Sequence, residues 1–111
     1  MIIVTTHEIP GARCYAVRGI VHHTHFVTKH AIGDAMASIK NFFGGNIGSY
    51  ARLVELGRHE VLKHLEAQAH ELSANAIIGL SVDIELMSLE KGGFFMISGM
   101  GTAVLSQPLD M

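Results

Sequence analysis

The stretch VHHTHFVTKH, Val21 to His30, holds four of the eight histidines of this 111-residue chain. Neutral imidazole nitrogen is a good ligand for zinc, copper or nickel. His23 and His25 are two residues apart, so an extended backbone puts them on one face and turns His22 away. A bent loop would let His22, His23 and His25 converge, and these three are the expected ligands for a divalent transition metal. Three imidazoles with no nearby carboxylate or thiolate leave the ligand set incomplete, and Cys14 or a neighbouring subunit could complete it. The same stretch also reads as a solvated polar loop, or as an interface that responds to pH in the imidazole range.

Other motifs carry less chemistry. HEVLKH, His59 to His64, looks superficially like a zincin helix. Its histidines are five apart rather than four, however, and diverge by roughly 140° on a helical wheel. Glu55–His59, Glu60–His64 and Glu66–His70 are i, i+4 pairs of the kind that support an exposed helix. GGNIGS, Gly44 to Ser49, could offer backbone N–H groups to an anion, but it lacks the Lys-Ser/Thr of a P-loop and reads better as a tight turn between helices. Gln68 falls in an apolar stripe with Arg58 at its margin. Buried polar groups need partners, so Gln68 is expected to bond strand backbone or reach across an interface; a small polar pocket with Tyr50 and Asp83 is the other arrangement. Cys14 reads as an inert thiol in a strand. No nucleophile, base and orienting group come together in the sequence, so a binding protein is expected rather than an enzyme.

The elements that must position these residues follow from periodicity. Ile2 to Thr6 is a short β-branched run closed by the turn Pro10-Gly11. Arg13 to Val21 is a second strand, followed by the histidine stretch as a loop with a strand-like Phe26-Val27-Thr28. Gly33 to Phe43 has a helical pattern. A longer helix follows with Ser49 as its N-cap: Tyr50, Val54, Gly57, Val61, Leu65, Gln68 and Leu72 fall within an arc of roughly 80°. Arg52, Glu55, His59, Lys63, Glu66 and His70 lie opposite. Asn75 to Leu86 alternates with period two, with Ala76, Ile78, Leu80, Val82, Ile84 and Leu86 on one face. Lys91-Gly92-Gly93 turns the chain into a returning strand, Phe94 to Leu105, whose Gly99 and Gly101 signal a bulge or a close approach. The order is ββααββ: one α+β domain over residues 1–111, with an antiparallel sheet covered by one long and one shorter helix.

Composition bounds the rest. The formal net charge is −2 and there is no basic run, which argues against nucleic acid as a partner. No apolar segment is long enough to span a membrane. With one cysteine and no recognisable signal segment, a reducing cytoplasmic setting is expected. Only 16% of residues are charged and 49% are hydrophobic, against about 25% charged in ordinary soluble domains. A monomer of this size would have to expose much apolar surface, so a homo-oligomer is expected.

The motifs GG-x-x-G-S-Y, Arg58, Gln68-Ala69, ANAIIGLSVD and SGMGTAV together resemble the YbjQ-like family, small and mostly prokaryotic proteins labelled heavy-metal-binding. The resemblance runs from Thr5-Thr6 to Val104. It implies a dodecin-subunit-like α+β fold and a ring assembly, usually of five subunits. It also implies a ligand or cofactor pocket between subunits as the alternative to metal binding. Ser73 stands where the family pattern favours glycine, and Ser81 where an acidic residue is common. The histidine stretch has no counterpart in the family pattern.

Overall fold

The computed structural model describes residues 1–27, 47–89 and 92–109. Four strands and one helix make up these residues: β1 (Ile2–Ile3), β2 (Ala12–Val27), α1 (Ile47–Glu71), β3 (Ala76–Leu89) and β4 (Gly92–Pro108). The strands form one sheet in the order β1-β3-β4-β2. The described order is therefore β-β-α-β-β, and the helix expected over Gly33–Phe43 lies outside the described residues. The sheet is mixed rather than wholly antiparallel. β2 and β3 both run antiparallel to β4, while β1 runs parallel to β3. The Pro10-Gly11 turn does not fold β1 back on β2; β1 goes to the far edge of the sheet. There Val4 N–H donates to the Ile77 carbonyl at 2.9 Å and Gly79 N–H to the Thr6 carbonyl at 2.8 Å.

The helix forms as its wheel requires. Leu53, Val61, Leu65 and Ala69 are buried, whereas Arg52, Glu55, His59, Lys63 and His70 are exposed. Ser49 lies within the helix, Ile47–Glu71, and is not its N-cap. The helix packs on one face of the sheet, where Val21, Val61, Leu65, Ala69, Ile77, Ile97 and Ala103 form the main core. Glycines set the closeness of that contact. A Cβ at Gly99 would collide with Val61 and lie 3.1 Å from Leu65, and one at Gly57 would collide with Ile97.

The helix ends in a Schellman turn. Ala74 N–H bonds the Ala69 carbonyl at 2.9 Å and Ser73 N–H bonds the His70 carbonyl at 3.0 Å. Ser73 supplies the left-handed residue at φ 61°, a backbone conformation that glycine adopts at no steric cost.

β3 corrects the expected alternation. Gly79 is left-handed at φ 61° and the register with β4 shifts between Ile78 and Ser81. This bulge changes the strand's phase. Ile77 joins Leu80 and Val82 on the helix side, while Ala76 and Ile78 face the other way. There they meet Ile9, Val104, Val4 and Ala12 in a second, smaller core. The N-terminal segment thus covers one end of the face that the helix leaves open. Gly92 and Gly93 belong to β4, paired with Leu89 and Ser88.

Candidate functional site

The histidine stretch is strand, not loop, up to Val27. β2 runs unbroken in register from Ile20 to Val27 against Thr102 to Phe95. Valines and Thr24 favour extended backbone, and neutral imidazoles do not oppose it. Alternation then decides where each histidine points. Val21 and Val27 are buried, and His23 and His25 lie on their side of the strand, partly buried. His22 and Thr24 point to the opposite face. The three histidines expected as one ligand set are therefore divided, two on the helix side and one on the open side.

On the helix side they meet α1. Gln68 clamps the strand: its Oε1 accepts from the His22 N–H at 3.0 Å, and its Nε2 donates to the His22 carbonyl at 2.7 Å. The amide side chain thus bonds strand backbone, as a polar residue in an apolar stripe must. With that register fixed, His23 falls on His64, one helical turn earlier. Their rings stack with centroids 3.9 Å apart and planes 14° from parallel. His25 lies over Gly57, its Cδ2 3.5 Å from where a Cβ there would stand. Glu60 completes the group, close enough to act electrostatically on His23. Its Oε2 is enclosed and has no hydrogen-bond partner among the described residues.

The electrostatics favour a neutral His23. Burial lowers its pKa from the ordinary imidazole value, repulsion from His64 and His25 adds to the shift, and the Glu60 carboxylate opposes it. A neutral imidazole keeps a nitrogen lone pair for a metal. The donor types suit a borderline divalent ion. Among the described residues, however, no three His, Cys, Asp or Glu side chains are grouped to hold an ion. Stacked rings aim their in-plane lone pairs side by side rather than at one point.

The open face carries a shallow trough of about 270 Å³ lined by His22, Thr24, Ser81, Asp83, Ser98 and Met100. The Thr24 and Ser98 hydroxyls lie 3.3 Å apart across its floor. Asp83 is on this side and Gln68 on the other, so they do not share a polar pocket. Arg58 pairs with Glu55 on the helix. Cys14 is exposed rather than an enclosed core thiol. It lines a separate cleft with His7, Glu8 and Arg13.

Sequence reasoning missed His64 and Glu60 as members of the site. Their i, i+4 spacing put them together on the helix, but the strand that meets them is 41 residues away in sequence, and local spacing holds no trace of it.

A family profile described as "Putative heavy-metal-binding", YbjQ, matches residues 1–107. A UPF0145 protein of Trichodesmium erythraeum is 36% identical over 94% of this chain and 97% of its own length. One from Nostoc punctiforme is 38% identical over the same shares. A UPF0145 protein of Clostridium kluyveri is 36% identical over 95% of this chain and 98% of its own. The crystal structure of a protein of unknown function from Pediococcus pentosaceus, of the DUF74 family, shares the fold. It superposes with a TM-score of 0.60 at 19% identity, covering 96% of this chain and 98% of that one. With a profile match over nearly the whole chain and relatives well above 30% identity, this chain belongs to the YbjQ family.

Proposed function

We propose that this chain is a homo-oligomeric binding protein, not an enzyme, that takes up a divalent transition metal where β2 meets α1. His23 and His25 supply imidazoles from the strand, His64 a third from the helix, and Glu60 a carboxylate. The observation that carries this reading is the stacked His23–His64 pair within electrostatic reach of Glu60, one of whose carboxylate oxygens is enclosed with no hydrogen-bond partner among the described residues. A partnerless enclosed oxygen costs free energy unless something positive satisfies it, and a zinc, nickel or copper ion would do so. Loading requires one ring to leave the stack, since stacked rings do not converge. His22 stands outside this set because it faces the opposite side of the sheet.

The family description supports the metal reading, and the resemblance supplies the dodecin-like ring of five subunits. Low charge density supports assembly. The exposed thiol of Cys14 suits a reducing cytoplasm.

Elemental analysis of untagged protein, followed by calorimetric titration with zinc and nickel near pH 7.5, tests it. His23→Ala and His64→Ala should each weaken binding by about tenfold or more, since even the supporting partners of metal ligands carry that much. His22→Ala, His59→Ala and His70→Ala should leave it intact. Equal binding by wild type and by the His23 and His64 variants would overturn the site.

The open-face trough supports a second reading, a small polar ligand held between subunits. Its hydroxyls, imidazole and carboxylate offer both donors and acceptors. A co-purifying small molecule lost on Asp83→Ala substitution, with no bound metal, would favour it.

A further inference from the structure

Among the described residues, one face of the sheet is covered by α1, and the other is covered at one end only, by the N-terminal segment. The uncovered part is divided by chemistry. On β2 and β4 its positions are Ile20, His22 and Thr24, and Met96, Ser98, Met100 and Thr102, with Val17 at the margin of the N-terminal segment. None carries a fixed charge. On β3 the same face presents Asp83 and Glu85, both exposed. A sheet face meant for water is expected to alternate into charged and polar residues. Here Val17 is 73% exposed, Ile20 68% and Met100 55%.

The area points the same way. The chain exposes 7443 Å², where a self-contained protein of 12.0 kDa exposes about 6,000 Å². The surplus, on the order of 1,400 Å², exceeds the ~800 Å² that each partner gives to a standard interface. It is thus enough for one full contact and part of another. A charge-free centre containing methionine, bordered by a charged rim, is the usual anatomy of such a contact.

We infer that the β2–β4 half of the open sheet face is an interface with a second copy of this chain, with Asp83 and Glu85 as its solvated rim. The inference rests on the oligomeric part of the reading above and adds which surface makes the contact.

Native mass spectrometry of wild type, of Ile20→Lys/Met100→Lys and of Asp83→Lys tests it. Wild type and Asp83→Lys should give the same multiple of the 12.0 kDa chain, and the double variant should fall to single chains. Both substituted side chains point to solvent in the isolated chain, so circular dichroism should keep its helical signal. Hydroxyl-radical footprinting of wild type gives a measurement that needs no variant. Ile20 and Met100 should be protected, whereas Leu56, 48% exposed on the helix, should be modified. A double variant with wild-type stoichiometry, or rapid modification of Ile20 and Met100 in the assembled protein, would overturn the assignment while leaving the oligomer standing. A monomeric wild type would overturn both.

Discussion

At the scale of single residues, the surroundings of His23 couple its protonation to folding. His23 faces His64 and Glu60 from α1 and has His22 and His25 beside it on β2. Its folded pKa is lowered, with burial the largest cause, while the unfolded value stays near 6.5. The sign follows from counting protons: below about pH 6.5 the unfolded chain binds a proton that the folded chain resists, so stability falls as the solution is acidified through that value. Above about pH 7.5 both states are neutral at this position and the effect vanishes. Urea midpoints measured on metal-free protein should therefore drop between about pH 7.5 and 5.5, and His23→Gln should flatten that drop. An equal drop in the variant would mean that other groups carry the acid sensitivity.

At the scale of elements, the helix and its end give the cleanest expectations. Leu65 is fully buried between α1 and the sheet, so Leu65→Ala should cost roughly 2–5 kcal/mol. His59 is exposed on the opposite side, and its replacement by Ala should stay within about 0.5 kcal/mol. Ser73→Gly should stabilise by roughly 0.5–1 kcal/mol, because a left-handed residue with a Cβ costs more than glycine's extra unfolded freedom. Denaturant midpoints that rank Leu65→Ala above His59→Ala, or Ser73→Gly below wild type, would count against this packing. The wheel was legible in the sequence because burial on α1 is one-sided, so every buried position repeats the same angular preference. β3 was less legible. A bulge at Gly79 moves Ile77 to the helix side, and period-two counting cannot see a shift that depends on one backbone angle. β2 runs on past Val21 to Val27, because the valines and Thr24 around the histidines favour strand although the polar histidines themselves look like loop. The site itself was half legible: alternation separates His22 from His23 and His25, but only the Gln68 clamp sets which helical residue His23 meets.

At the scale of the whole molecule, the described fold is long and thin. Its extents are 54 × 26 × 20 Å and its radius of gyration is 17.2 Å, against about 13 Å for a compact domain of this length. Among the described residues thirteen hydrophobic side chains are buried, eleven of them in the two clusters, which is little to hold strands of 14 to 17 residues in place. If subunit contacts supply the missing burial, folding and assembly are one equilibrium and stability depends on protein concentration. For a ring of five that unfolds to single chains, four fifths of the energy of each tenfold concentration change appears per chain. That is about 1.1 kcal/mol of the roughly 1.4 kcal/mol in a factor of ten. Denaturation followed over a hundredfold concentration range should therefore move by about 2 kcal/mol per chain, with the midpoint rising as protein is added. The Ile20→Lys/Met100→Lys variant should lose this dependence and unfold at a lower midpoint. A wild-type midpoint that stays fixed over the whole range would mean that the elongated chain holds itself together, and the uncharged sheet face would then need another explanation.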